Sequence, residues 1–517
     1  MRKHPVIHPF LLALFPILYL LENNLDKVLI SQALLPAAMV LGFTTLALFL
    51  LTVIVGDVRR AGLIVSIFLV LFLSYGHVFD VIETVVGDQP GDGLGHGHVL
   101  AVCALVFVGC TLFAVKLRDE TNSTRALNFV AIVLVARPLA GIGMGEVKAA
   151  RINSSALETA GAHSETYAID DESADRPDIY YIILDRYASS RTLEEHWGFD
   201  NGEFVDFLTS RGFYVAAEST ANYPKTFQSL ASSLNMTHLT HLTDELGEET
   251  SSRKPVYGML EDYEVWQFLK ARGYTFMHFG SSWEPTRYNK YADVNFSVYP
   301  AEFTMMLYRT TPLYPMGVEL GFFDERAVQR RAILRKFDEL ATVPDREGPT
   351  FVFAHILLPH APYLFGPEGV EVTSEQEEAR TEAENYLNQL IFTNEVVMEL
   401  VDEILSASES PPIIILQADE GPFIPFLDEF GGDGTDWRPL SDAAVRTHMR
   451  ILNAYHLPDA DPAEMLYPSI TPVNTFRILF DHYFGADYGL LPDESYMVED
   501  TLHPYKFMDV TDRVAYD

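Results

Sequence analysis

Apolar runs at about 5–21, 29–54, 61–79, 99–115 and 126–145 fill the first 150 residues, separated by short polar loops. Most are long enough to cross about 30 Å of hydrocarbon as a helix, which predicts an α-helical membrane anchor of about five transmembrane helices. Beyond residue 176 the pattern changes. Strand-length apolar runs end DIYYIILD (178–185), begin FVFAHI (351–356), follow the Pro-Pro stop of PPIIILQADEGP (411–422) and fill RILNAYH (450–456). Between them lie amphipathic helical stretches, among them one opened by Thr226 with Phe227, Leu230 and Leu234 on a face, and a long one over 374–410. Continuous apolar strands are the mark of a sheet covered on both faces, so this part is predicted to be an α/β domain around a largely parallel sheet. The stretch from Pro300 to Pro315 is less regular. Residues 151–176 are small, polar and acidic and read as a solvated linker. The expected plan is therefore an anchor over 1–150, a linker over 151–176, the α/β domain over 177–490 and a C-terminal tail over 491–517.

Charge orients this plan. Arg2, Lys3, Arg59, Arg60, Lys116, Arg118 and Arg125 fall in loops on one side of the anchor, while the loops at 22–27 and 80–98 are neutral to acidic. The basic side is expected in the cytoplasm, and five crossings then put everything after about residue 150 outside the cell. Residues 1–150 carry equal numbers of basic and acidic side chains, so the whole net charge of −36 belongs to the remainder. Such a surface argues against nucleic acid as a partner. Cys103 and Cys110 lie seven apart in an apolar run and read as packing residues, leaving no disulfide framework, zinc knuckle or cysteine nucleophile in the acidic part.

The chemistry gathers at strand ends. The strand before Gly421 stops on Asp419 and Glu420, two carboxylates that repel each other unless a proton or cation sits between them. By itself this pair reads either as a solvated acidic turn or as a metal site. A second strand ends on Asp185. Thr226 opens a helix, where a hydroxyl serves as an N-cap, and where the free amides and dipole also favour an alkoxide and bind a phosphate. His355 lies within a strand, the usual place of a satisfied core imidazole, whereas His360 lies past it between prolines, at the edge of the carboxylates. A carboxylate-held divalent cation at that edge would make Thr226 a usable nucleophile and neutralise phosphoryl oxygens. His360 would stabilise the transferred group or protonate a leaving alkoxide. No G-x-G-x-x-G, G-x-x-x-x-G-K-[ST] or G-x-S-x-G pattern accompanies the strands, which weakens nucleotide-binding and nucleophile-elbow readings.

Together with NYPKTFQSLASSLN (222–235), FVFAHILLPHAPY (351–363), ILNAYHLP (451–458) and SITPVNTF (469–476), these segments resemble the alkaline phosphatase and sulfatase superfamily. The resemblance is to its membrane-anchored branch of lipoteichoic acid synthase and related phosphoglycerol and phosphoethanolamine transferases. It implies an alkaline-phosphatase-like fold, Thr226 as nucleophile, His360 as a catalytic histidine, and one divalent cation held by Asp185, Thr226, Asp419 and Glu420. His355, Arg186 and Lys225 are then expected to contact substrate. It further implies a lipid donor, an envelope glycan, lipid or polymer as acceptor, and a multi-pass protein of the cell membrane with its C-terminal domain extracytoplasmic. Glu420 stands where the family usually has His, and as the harder ligand it turns the expectation to Mn²⁺ or Mg²⁺, with Ca²⁺ as the alternative, and away from Zn²⁺. Arg186 stands where the family often has Gly. The C/S-x-P-x-R motif that sulfatases convert to formylglycine is absent, which argues against sulfate-ester hydrolysis. Two other readings stay open at this point: a hydrolase of phosphate esters or diesters, and a non-catalytic envelope scaffold in which Glu420 marks the loss of metal.

Overall fold

The computed structural model describes residues 5–25, 28, 30–86, 95–116, 120–160 and 176–516. The chain forms two compact units, Met1–Arg151 with Pro300–Glu325, and Ile152–Tyr299 with Arg326–Asp517. Of the linker expected at 151–176, residues 161–175 lie outside the described residues.

The first unit is helical: α1 (His8–Asn23), α2 (Ile30–Val55), α3 (Val58–Leu73), α4 (Tyr75–Val86), α5 (His96–Lys116) and α6 (Glu120–Ala160). Among the described residues, three stretches are each long and apolar enough to cross a membrane, Ile30–Val55, His96–Lys116 and Glu120–Met144. A fourth arises if α3 and the first part of α4, bent by 49° at their junction, count as one span. The run expected as the first span is only 16 residues long. At about 1.5 Å per residue it reaches about 24 Å, short of the hydrocarbon thickness. The anchor is thus a region of three to four candidate spans preceded by a shorter apolar helix. Residues 300–325, whose stretch from Pro300 to Pro315 is less regular by sequence pattern, hold two short helices, Glu302–Arg309 and Leu313–Glu319. Phe303 and Leu307 share a core with Ile17, Leu21, Val28, Ala33 and Ile142 of the anchor.

The second unit is built on β1 (Ile179–Leu184), β2 (Phe213–Val215), β3 (Thr275–Phe279), β4 (Val294–Phe296), β5 (Thr350–Ile356), β6 (Ile413–Gln417) and β7 (Asn453–His456). Among the described residues these seven form one sheet in the order β2-β7-β6-β1-β5-β3-β4. The five strands from β6 to β4 pair in parallel, and only β7 runs antiparallel to its neighbours. The sheet is therefore mostly parallel, as the uninterrupted apolar strands require. β1, β5 and β6 are buried along their whole length. Alternate residues feed two cores: Tyr180, Ile182, Leu184 and Val352 face one, and Ile179, Tyr181, Ile183 and Phe353 face the other. A hairpin of β8 (Tyr496–Val498) and β9 (Phe507–Asp509) completes the unit. It gives the tail a structural role. Asn222 donates to the Glu494 carbonyl at 2.8 Å, Tyr496 N–H donates to the Asn222 carbonyl at 2.9 Å, and Gln228 donates to the Pro504 carbonyl at 2.6 Å. These bonds buttress the loop that leads into Thr226.

Gly421, the turn after Glu420, packs directly against the end of helix Asp442–Met449. A Cβ there would lie 2.3 Å from the Thr447 carbonyl oxygen, whereas one at Gly432 would meet nothing within 4 Å. Gly421→Ala is expected to cost about 1–3 kcal/mol of stability through overpacking, with Gly432→Ala near neutral. Paired thermal melts of the two variants check this.

Candidate active site and metal centre

The register of the sheet assembles the site. Ile183 of β1 is level with His355 of β5 and with Gln417 of β6. Side chains alternate between faces with a period of two. Asp185 and Asp419, each two residues past that rung, therefore emerge on the same face as His355. Helix Thr226–Asn235 covers this face through Phe227, Leu230, Ala231 and Leu234. Its first turn is thereby brought to the carboxyl edge of the sheet, the usual place for ligands in α/β folds.

Asp185, His355 and Asp419 are all buried, and one ligand atom from each lies within 4.8 Å of the others. His355 Nε2 is 3.1 Å from Asp185 Oδ2, and its Nδ1 is 2.8 Å from the Thr286 hydroxyl. Expected against substrate, His355 instead lies wholly inside, grouped with the carboxylates, because it shares their face of the sheet. Burial pushes its imidazole down to about 4, which leaves the neutral form that ligates metals. The Thr226 side chain lies close enough to Asp419 to act against the upward push of burial on its carboxyl. Thr226 is the first residue of its helix rather than the cap, a position held by Lys225 without any side-chain bond. The Ser229 hydroxyl donates to the Asp419 carbonyl at 2.7 Å and fastens the helix to the strand end. Below, the Tyr181 hydroxyl donates to Gln417 Oε1 at 2.6 Å, and Gln417 Nε2 donates to Asn453 at 2.9 Å and Thr475 at 3.0 Å.

Against this satisfied floor, three carboxylate oxygens stand out. Asp185 Oδ1, Asp419 Oδ2 and Glu420 Oε2 are buried with no hydrogen-bond partner. Burial, reinforced by Asp185, pushes Asp419 up to about 6. Burial, reinforced by Asp419, pushes Glu420 up to about 8. Unpartnered buried carboxylate oxygens beside a neutral imidazole form a donor set that fits a divalent cation.

Glu420, expected as a ligand, stands outside the three-residue group and pairs with Arg186, Nε to Oε1 at 3.3 Å. Arg186 also donates its backbone N–H to Asp419 Oδ1 at 3.1 Å and lays its guanidinium 4.4 Å from the Phe423 ring centroid. Its φ of 62° is left-handed, a region that favours Gly. The lean towards hard cations rested on Glu420 as ligand. With His355 in its place the donors are mixed oxygen and nitrogen.

Lys225 sits 4.6 Å and 4.5 Å from the Phe423 and Trp437 ring centroids, and burial lowers its ammonium to about 8. His360 is half-buried at the same edge, with Nδ1 against the Ala361 carbonyl. A carbonyl only accepts, so Nδ1 carries the proton and Nε2 is left as the acceptor. Burial, then the Arg186 charge, lowers His360 to about 4. His448 was not legible as a site residue. Its Nδ1 is 2.8 Å from the Gly421 carbonyl and its Nε2 2.8 Å from the Pro224 carbonyl, so it ties the turn after Glu420 to the segment before Thr226. Its position just ahead of β7 was the only available signal.

No protein-family model and no curated protein matches the chain. Among solved structures, the chain is similar to the C-terminal periplasmic domain of EptC from Escherichia coli, at 12% identity and a TM-score of 0.42, over 66% of this chain and 94% of that one. It is also similar to the integral membrane lipooligosaccharide phosphoethanolamine transferase A of Neisseria meningitidis, at 10% identity and a TM-score of 0.38, over 92% of this chain and 95% of that one. A third is the putative sulfatase yidJ from Bacteroides fragilis, at 12% identity and a TM-score of 0.38, over 64% and 83%. At such low identity and overlap, residue roles are taken from this chain's own geometry.

The ligand group makes a ranked prediction. Elemental analysis of the purified full-length protein is expected to find a stoichiometric divalent ion that is lost in Asp419→Ala and His355→Ala but retained in Glu420→Gln. Loss with Glu420→Gln and retention with His355→Ala would reverse the assignment.

Proposed function

We propose that this chain is a membrane-anchored, metal-dependent phosphotransferase that moves a phospho-head-group, phosphoglycerol- or phosphoethanolamine-like, from a lipid donor to an envelope glycan, lipid or polymer. The observation that carries this reading is the Thr226 hydroxyl, set at a helix N-terminus beside Asp419 in a group of buried, partly unpartnered carboxylates. Asp185, His355 and Asp419 would hold the cation, with Thr226 as a further ligand; because three of these four donors are oxygens, Mn²⁺ or Mg²⁺ is the proposed ion and Ca²⁺ the alternative. When bound, that ion supplies positive charge that lowers the threonine pKa and neutralises phosphoryl oxygens.

The rest of the chemistry falls to the chain. Thr226 Oγ attacks phosphorus, the bond from phosphorus to the diacylglycerol oxygen breaks, that oxygen leaves as a free hydroxyl with a proton drawn from water, and a phosphothreonine ester forms. Asp419, beside the Thr226 hydroxyl, is the proposed acceptor of its proton. The free amides of the helix start, with Arg186 and Lys225, hold the phosphoryl oxygens. In the second half-reaction the acceptor hydroxyl attacks phosphorus and Thr226 leaves as the free hydroxyl. His360, with Nδ1–H committed to the Ala361 carbonyl, presents Nε2 to take the acceptor's proton.

Five crossings, with the short α1 spanning through local thinning of the bilayer, would place this domain outside the cell. The charge pattern gives the same side even if α1 does not cross, because Arg59, Arg60 and Lys116 fix the cytoplasmic ends of α2, α3, α5 and α6. We retain 1–150 as the anchor, 151–176 as the linker, 177–490 as the catalytic domain and 491–517 as the tail.

Turnover of a lipid donor in vesicles is expected to fall at least about 10³-fold in Thr226→Ala, the loss of a nucleophile. Supplying an acceptor should convert released head-group phosphate into acceptor-linked product. Full activity in Thr226→Ala would end the covalent mechanism, and release to water unaffected by any acceptor would mark a hydrolase.

A further inference from the structure

Residues 300–325 interrupt the sheet domain in sequence, yet they pack with the anchor helices. Phe303 is fully buried there, and Gly76 N–H donates to the Thr310 carbonyl at 2.8 Å. The approach is close: a Cβ at Gly76 would lie 2.6 Å from the Arg309 carbonyl oxygen. The anchor residues in contact, Ile17 and Leu21 late in α1, Val28 just before α2, Ala33 early in α2, and Ile142 near the end of the span Glu120–Met144, all belong to one end of the bundle. It is the end opposite Arg59, Arg60 and Lys116. By the charge pattern this is the extracytoplasmic end.

The polar groups of the segment are largely satisfied within it. Arg309 pairs with Glu325, the Tyr308 hydroxyl donates to the Leu313 carbonyl at 3.0 Å, and Tyr308, Tyr314 and Phe323 cluster with ring centroids 5.4–6.1 Å apart. Its apolar side chains are another matter. Leu313, Met316, Val318 and Leu320 are 40–61% exposed, and Phe322 is 84% exposed. Such a cluster is unfavourable in water. Exposed apolar side chains also line α2, where Leu34, Leu35 and Met39, a short way past Ala33, are each more than half exposed. Tyrosines beside exposed aliphatics at the end of a helix bundle are the composition of a membrane–water boundary.

We propose that residues 300–325 form an interfacial element whose Leu313–Phe323 side seats in the outer-leaflet lipid, at the level of the headgroup and acyl boundary. The chain leaves the sheet domain at Tyr299 and re-enters it at Arg326, so the domain is tied to the lipid surface by two further connections besides the one from α6. The consequence for lipid turnover rests on the function proposed above; the seating in lipid does not.

The test uses full-length protein in vesicles of phosphatidylglycerol and phosphatidylethanolamine, spin-labelled at Phe322→Cys in a Cys103→Ala, Cys110→Ala background. The label is expected to be several-fold more accessible to oxygen than to a water-soluble nickel chelate, with the reverse at Leu502→Cys in the sheet domain. Preferential nickel access at Phe322 overturns the proposal, as does protection from both relaxants, which would mean that protein covers the face. In a second arm, Leu320→Glu with Phe322→Glu is expected to slow turnover of the lipid donor at least tenfold while sparing a short-chain, water-soluble phosphodiester. Equal loss of both substrates, or loss of neither, contradicts the coupling of this element to lipid turnover. Wild-type protein inactive on both substrates would refute the phosphotransferase reading and leave the spin-label result to decide the seating alone.

Discussion

Asp185 and Asp419 are held against one another in the interior of the sheet domain, each with a carboxylate oxygen that nothing hydrogen-bonds. Two buried like charges with unfilled acceptor sites are tolerated only when a proton or cation is shared between them. Everything around them is arranged to keep them there. The parallel register of β1, β5 and β6 sets their level, the Arg186 backbone N–H bonds one Asp419 oxygen, and Ser229 fastens the Asp419 carbonyl to the helix that carries Thr226. In the proposed reading, Thr226 stands beside a charge that demands a cation, and phosphoryl transfer would follow from that arrangement.

Glu420 and Arg186 are the two positions at which the chain departs from the pattern its sequence resembles, and in space they form one feature. The guanidinium meets the extra carboxylate, and Phe423 lies beneath the guanidinium. Taken singly, Glu420 looked like either an unusual ligand or a sign of decay. As a pair, the two side chains engage each other and stand apart from the Asp185, His355 and Asp419 group. The left-handed φ of Arg186 explains why Gly is often found there: the strand must turn sharply to present the preceding Asp.

Much of the sheet domain was legible because burial writes itself into composition. IYYIIL, TFVFAHI and IIILQ read as two-faced strands, and the carboxylates that follow the first and the third announced the edge. What stayed hidden depended on register and on contacts distant in sequence. His355 was readable in principle, since it keeps the parity of Phe351 and Phe353, but placing it beside Asp185 requires knowing that Ile183 pairs with it. His448 bridges two loops far apart in sequence, at Pro224 and Gly421, and no local pattern signals that. Residues 300–325 lacked a clear period because the short helices there are shaped by packing against the anchor rather than by an independent core. The membrane count was blurred for a related reason: apolar length alone does not separate a short helix such as α1, or the bent α3–α4 pair, from a full span.

The central claim is that Thr226 carries the transferred group. It is tested most directly by mass spectrometry of the tryptic peptide containing Thr226 after the full-length protein, in vesicles with Mn²⁺, is quenched during turnover of a lipid donor. The account predicts a head-group phosphate adduct on Thr226 that disappears when acceptor is added and never forms in Asp419→Ala. Steady turnover with no adduct on Thr226, or an adduct on another residue, would contradict it.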